Sequence, residues 1–212
     1  MNDNPNSSES FNRDWTRLKQ VGGRLCLDFV NTVDRETTGY SHDWLEQYSH
    51  LVTWGRHNQI LTVEQTQAFL TMEKQQPNNS QAVFHQAIKL REMLYRIFSA
   101  ISAQQPPQPQ DLIHFNSLLA DTYTHLQLVF TNNRFVWSWT DSHQPEYLLW
   151  QIVHSAEELL TDSYLHRVRE CAGTDCGWIF LDMSRNRSRR WCDMEDCGNR
   201  AKARRYYERS KD

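Results

Sequence analysis

The sequence of 212 residues contains no run approaching the ~20 consecutive apolar residues of a membrane-spanning helix. Its first 14 residues are polar and lack the apolar segment of a secretory signal, so we expect a cytoplasmic protein with no membrane partner. Apolar material for a core is present, because hydrophobic residues make up 39% of the chain and aromatic residues 12%. This composition argues against disorder over the whole chain.

Catalytic motifs are also missing. The sequence has no phosphate-binding glycine loop, no dinucleotide fingerprint and no nucleophile elbow. The nine histidines are scattered, and none pairs with another at a metal-binding spacing. We therefore expect a protein that is not an enzyme.

Net charge is −3, but the charges are unevenly distributed. Residues 167–212 carry 12 Lys/Arg against 8 Asp/Glu, whereas residues 1–166 carry 11 against 18. An acidic body is thus followed by a basic C-terminal segment. This pattern is typical of proteins that bind a polyanion.

Four of the five cysteines lie close together near the C-terminus. The spacing Cys171-x4-Cys176-x15-Cys192-x4-Cys197 predicts two short turns that close on one zinc ion. Four thiolates leave no open coordination position, so the zinc is expected to be structural. Unliganded buried cysteines are the alternative, while a redox dithiol is disfavoured because neither pair has the Cys-x-x-Cys spacing. Cys26 stands alone in an apolar run and is predicted to be a core thiol.

Secondary structure within this zinc module is predicted as a β-hairpin plus a helix. Trp178 and Phe180 would lie on the first strand, and Trp191 on a second strand that returns after a turn at 184–187. After the last cysteine a basic helix follows, with Asp196 as a candidate N-cap.

The preceding body is predicted to be mainly α-helical with one β-hairpin. Apolar spacing indicates a helix over 42–54 that ends at Gly55, a helix opened by a Thr62/Gln65 capping box, and a long helix capped by Ser80. Further helices are expected over 111–120 and after Pro145, and alternating residues predict a hairpin over 125–140, with Trp137 and Trp139 in its core. The domains are thus a flexible N-terminus (1–14), a helical body (15–165) and the zinc module (166–212).

Arginine predominates in the basic segment, since residues 185–211 hold eight Arg and two Lys. Arginine favours bidentate recognition of phosphate, and a basic helix beside a zinc module is typical of DNA-binding proteins. RNA binding, a protein-interaction module with purely structural zinc, and a merely solvated basic face stay open as alternatives. The candidate nucleic-acid contacts are Arg185, Arg187, Arg189, Arg190, Arg200, Lys202, Arg204 and Arg205.

Polar residues interrupt the apolar run near the start of the body. Asp28, Asn31 and Thr32 could line a pocket for a small-molecule effector. The interpretation that we favour is that they cap a helix and satisfy neighbouring backbone groups.

Two segments resemble known families. The run from Cys176 to Asp182, the Arg-Arg-Trp-Cys run at 189–192 and the tetrapeptide Cys-Gly-Asn-Arg at 197–200 resemble the CGNR zinc finger over about 168–208. Residues 23–32, with Gly23, Cys26 and Asp28 among them, resemble the ABATE domain that usually precedes this finger. The resemblance implies a bacterial, stress-induced transcriptional regulator whose finger binds DNA. Such regulators are often dimers, so a homodimer is an open expectation.

Overall fold

Residues 13–35 and 42–210 are described by the structure, which is a computed structural model. The predicted flexible N-terminus therefore falls mostly outside the described residues. Its last two residues make defined contacts: Arg13 donates a hydrogen bond to the carbonyl oxygen of Asp43 at 2.7 Å, and the Asp14 carboxylate accepts one from the Thr16 backbone at 3.2 Å.

Helices dominate the described chain, as the sequence predicts. The helices of the body are α1 (Leu25–Val30), α2 (Tyr48–His57), α3 (Val63–Gln75), α4 (Pro77–Ser102), α5 (Pro109–Thr124) and α6 (Tyr147–Thr161). A hairpin of β1 (Leu126–Thr131) and β2 (Arg134–Trp139) separates α5 from α6. The C-terminal segment adds β3 (Val168–Glu170), β4 (Ile179–Leu181) and α7 (Asn199–Arg209). None of these helices combines the length and apolar character that spanning a membrane would need.

The short helix α1 lies at the centre of the body. Four of its six residues are buried, and it packs against both α4 and α6. A hydrogen bond also joins α1 to α6, because the Cys26 backbone N–H donates to Ser155 Oγ at 3.2 Å. The apolar run that could have formed either a strand or a helical turn is therefore a buried helix.

Three predicted helix ends are wrong: both ends of α2 and the start of α4. Helix α2 begins at Tyr48, six residues later than expected, and it continues through Gly55 to His57. Gly55 serves close packing instead of termination, since a Cβ there would lie 2.5 Å from Leu148 Cδ2 on α6. Helix α4 begins at Pro77, whose fixed φ suits a first helical position, so Ser80 is a buried residue inside the first turns.

Other predicted elements are confirmed with small shifts. Thr62 and Gln65 form the capping box of α3, each side chain bonding to the other residue's backbone. The β1–β2 hairpin turns at Asn132 and Asn133, whose φ angles of 50° and 58° lie in the left-handed region that asparagine tolerates.

The predicted hairpin between the two cysteine pairs is wrong in its pairing. Strand β4 pairs with β3, which precedes the first cysteine, and the described segment after β4 forms no strand with Trp191. That segment is instead closed as a loop by the buried Asp182, whose carboxylate accepts the backbone N–H groups of Ser184 (2.9 Å) and Arg189 (3.0 Å). The fold class of a strand pair plus a helix still holds for the module.

Strand β4 is shared between the body and the zinc module. Ile179 and Leu181 lie in the main core, whereas Phe180, between them, packs with the four cysteines on the opposite face. The body also bonds the strand directly, because Asn31 donates to the carbonyl oxygen of Ile179 (2.8 Å) and accepts from its N–H (2.9 Å). The two predicted domains are therefore packed around one strand.

Burial of the Asp28 carboxyl group makes the stability of the body depend on pH. Removal from water raises the pKa of Asp28 to about 6 from 3.8, although its bond from the Gly22 N–H favours the charged form. A folded-state pKa above the unfolded one means that the stabilising contribution of Asp28 is complete in acid and is lost as the pH rises through about 6.

Substitution of Asp28 by Asn should remove this titration while keeping the acceptor for Gly22. Relative to the unsubstituted protein, the free energy of unfolding of Asp28→Asn should rise by about 1 kcal/mol between pH 5 and pH 7.5. Denaturant unfolding in zinc-containing buffer measures this difference. A stability difference that stays constant with pH would contradict the assignment.

Candidate metal centre and basic surface

The four clustered cysteines meet at one point. Their Sγ atoms all lie within 4.8 Å of one another, all four residues are buried, and none forms a disulfide. The Sγ atoms of Cys176 and Cys192 are 3.5 Å apart, and those of Cys192 and Cys197 are 3.6 Å apart. A tetrahedron with Zn–S bonds of ~2.3 Å has edges of ~3.8 Å, so the cluster fits one zinc ion. Four thiolate ligands fill its shell, and the ion is structural.

Hydrogen-bond donors surround these sulfurs. The backbone N–H groups of Gly173 (3.4 Å) and Cys192 (3.3 Å) point at Cys171 Sγ, and Arg200 Nη2 donates to Cys197 Sγ at 3.1 Å. The hydrogen bond to that sulfur raises the pKa of the Arg200 guanidinium. These donors offset part of the net −2 charge of a zinc ion with four thiolates.

Glycines shape the first pair of ligands. Gly177 adopts a φ of +63°, which returns the chain after Cys176, and a Cβ at Gly173 would lie 3.3 Å from Cys197 Sγ. A side chain at either position would disturb this turn, so the two glycines let the thiolates converge.

The segment that carries the last two ligands is fastened to the body. Asp193 caps a π-helical turn (Met194–Gly198) that leads into α7, so the predicted cap at Asp196 is wrong. Lys19 Nζ bridges the two carboxylates, at 2.6 Å from Asp193 and 2.8 Å from Asp196. This bridge lowers the pKa of Asp193. On the other ligand pair, the backbone N–H of Arg35 donates to the carbonyl oxygen of Cys176 at 3.2 Å.

Three of the candidate nucleic-acid contacts have partners inside the protein. The Arg189 guanidinium lies 4.3 Å from the Phe180 ring centroid and donates to the carbonyl oxygens of Val21 and Trp191. Arg200 bonds a ligand sulfur, and Arg204 bonds the hydroxyl of Thr174. We expect Arg189 to hold the module against the body.

The remaining candidates are exposed. Within residues 13–35 and 42–210, the side chains of Arg185, Arg187, Lys202 and Arg205 have no hydrogen-bond or ion-pair partner. In the same ranges, the Arg190 guanidinium approaches only the Trp191 ring, at 5.5 Å. Helix α7 itself contains no buried residue, so Lys202, Arg205 and Arg209 face solvent, as do Tyr206 and Tyr207 on the same helix.

The three polar residues of the body are bonded to protein groups. Asp28 accepts from Gly22, Asn31 bonds both backbone groups of Ile179, and Thr32 donates to the carbonyl oxygen of Phe29 at 2.7 Å. Thr32 Oγ1 also accepts from the buried Arg91 at 3.1 Å. The bonds of Asp28 and Thr32 are to nearby backbone groups, whereas Asn31 bonds a strand 148 positions away. No effector site is assigned to these residues.

Sequence reasoning missed the residues that join the module to the body. Asn31 and Ile179 are 148 positions apart, and Lys19 and Asp193 are 174 apart. Nothing in the local sequence pattern reports such pairs. The internal bonds of Arg189 were missed as well, because a basic run does not distinguish an arginine that bonds its own protein from one that contacts phosphate.

The fold and the metal centre define the class of protein: a helical body with a four-cysteine structural zinc finger. A family model named CGNR zinc finger matches residues 167–210, and the ABATE model, described as "Putative stress-induced transcription regulator", matches residues 23–163. The chain belongs to the ABATE family and carries a CGNR zinc finger, which confirms the resemblance found in the sequence. Neither description is that of an enzyme family. No curated protein matches the chain.

Substitution of a ligand should release the zinc. Metal analysis of the purified protein should give one zinc per chain, and Cys176→Ser should lose most of it and unfold the zinc module. The matched control is Cys26→Ala, which removes a thiol that is also buried but lies in the main core. Burial raises the pKa of the Cys26 thiol to about 12. Full zinc content in Cys176→Ser, or zinc loss in Cys26→Ala, would contradict the ligand assignment.

Proposed function

We propose that this chain is a DNA-binding transcriptional regulator whose zinc finger presents α7 and the preceding arginine loop to DNA. The observation that carries the proposal is α7: a helix with five basic residues and no buried residue, attached to the zinc centre. A helix that buries no apolar face in its own protein gains no stability from packing, so its surface is available to a ligand.

Charge indicates the class of ligand. The exposed cations of α7 and of the loop at 183–190 lie on a chain whose first 166 residues carry an excess of seven acidic residues. A polyanion is attracted to the zinc module and repelled by much of the body. The protein would therefore approach a polyanion with its zinc module first. We therefore propose DNA phosphates as the main contacts of Arg185, Arg187, Arg190, Lys202 and Arg205, with Arg204 at the margin of the same surface.

The positions of the basic residues along α7 favour binding in a DNA groove over binding to a flat surface. Lys202, Arg205 and Arg209 recur at spacings of three and four residues and so share one face of the helix. An α-helix fits the major groove, where phosphates flank both sides and arginine can reach guanine. Zinc fixes the start of this helix through Cys197, so the metal would orient the DNA-contacting surface without touching DNA.

Cellular context follows from the same proposal. Reduced thiolates are needed for the zinc site, and we place the protein in the bacterial cytoplasm, where thiols stay reduced. Its role there would be regulatory and not catalytic.

Removal of two exposed cations should weaken DNA binding in a salt-dependent way. For Lys202→Gln with Arg205→Gln, the slope of log K against log salt concentration should fall in magnitude by about 2, because each phosphate contact contributes ~0.9. Fluorescence anisotropy with a labelled duplex at several salt concentrations measures the slope. Lys89→Gln, which removes an exposed cation of α4, is the control and should bind as the unsubstituted protein does.

Three results would count against the proposal. Absence of duplex binding at low salt, or equal slopes for the double variant and the control, would exclude α7 as the contact surface. Tighter binding to an RNA of the same sequence would replace DNA with RNA as the ligand.

A further inference from the structure

The β1–β2 hairpin carries an apolar face that nothing in the described chain covers. Side chains alternate across a two-stranded ribbon, so Leu128 and Trp137 are cross-strand neighbours on one face, followed by Phe130 and Phe135. They are exposed by 54%, 56%, 61% and 67% respectively. We call these four residues the outer hairpin face. The prediction that Trp137 belongs to a hairpin core is therefore wrong for this chain by itself.

At the base of the hairpin, the same face is packed against the body. Leu126 and Trp139, the next pair towards the base, are largely buried, and the Trp139 ring packs on Tyr147 (6.1 Å) and Trp150 (6.4 Å) of the body. Beyond this pair the ribbon leaves the body. Phe130 and Phe135 contact each other, with ring centroids 5.0 Å apart.

Such a ribbon lacks the packing that would stabilise it. A two-stranded hairpin is at best marginally stable in water unless it packs against a third strand or another element. The strands are nevertheless paired over six residue pairs, from Leu126↔Trp139 to Thr131↔Arg134. The outer half of the hairpin therefore needs a partner surface.

Its size is in the range of a protein interface. Taking ~150–250 Å² for each fully buried aromatic side chain, the four residues expose roughly 400 Å² in total. Exposed apolar patches of a few hundred Å² mark interaction sites, and a standard interface buries ~800 Å² per partner. The outer hairpin face would supply about half of such an interface.

Charge indicates what covers it. Arg134 is the only charged residue from 126 to 139, and it lies on the opposite face of the ribbon from Phe135. A nucleic acid would need cations that this face lacks. In a two-fold dimer the same patch meets itself, so an uncharged patch avoids the like-charge repulsion that most surfaces of this acidic body would suffer. A second copy is also always present at the protein's own concentration.

We propose that the outer hairpin face packs against the same face of a second copy of this chain, forming a two-fold symmetric dimer. Two ribbons stacked face to face, ~10 Å apart, would bury both sets of aromatic residues in a four-stranded core. The proposal stands on the hairpin alone and does not depend on DNA binding.

Sedimentation equilibrium tests the dimer directly. The unsubstituted protein should sediment at about 50 kDa, twice the 25.2 kDa of one chain. Phe130→Ser with Phe135→Ser should raise the dimer dissociation constant by roughly 100-fold or more, because buried aromatic residues at an interface centre dominate affinity. Val63→Ser, which removes an apolar side chain exposed by 60% on α3, is the matched control and should remain dimeric.

A photo-crosslinking residue placed at Phe135 tests the geometry independently of any loss of folding. It should join two chains, with the crosslinked peptide inside residues 126–139 of the second copy. A monomer at ~100 μM, a double variant that dimerises as well as the control, or a crosslink to any other segment or protein would overturn the proposal.

Discussion

Strand β4 is the constraint on which the rest of the structure depends. It is three residues long, and both of its faces are buried: Ile179 and Leu181 in the core of the body, Phe180 against the cysteine cluster. A zinc module of this size cannot form a sufficient hydrophobic core by itself, so one face of its strand β4 packs into the core of the body. The Asn31 side chain fixes the register of this contact by bonding both backbone groups of Ile179.

Metal binding and folding of the body are linked by this arrangement. Thiolates that surround no cation would repel one another, so the cluster needs zinc to stay closed. Phe180 and the backbone of Cys176, which accepts a bond from Arg35, transmit that closure to the body. Lys19 and Arg189 tie the remaining parts of the module to the same surface, whereas α7 contains no buried residue.

Local patterns predict most of the elements but not how they meet. The capping box at Thr62, the hairpin over 125–140 and the cysteine spacing each depend on residues that are close in the sequence, and each is confirmed. The strand that pairs with β4 is misplaced because strands of three residues carry too little alternation to identify a partner. Similarly, the pattern of the β1–β2 hairpin shows which residues share a face, while only the tertiary structure shows that two of the three residue pairs on that face are uncovered.

Hydrogen exchange before and after zinc removal tests most directly whether the module and the body share one core. The body helices α1 and α4 pack against β4, so removal of zinc by a chelator should accelerate amide exchange in both helices as well as in the zinc module. If exchange increased only in residues 168–209 and the protection of α1 and α4 were unchanged, the zinc finger would be an independent appendage and the shared core would be disproved.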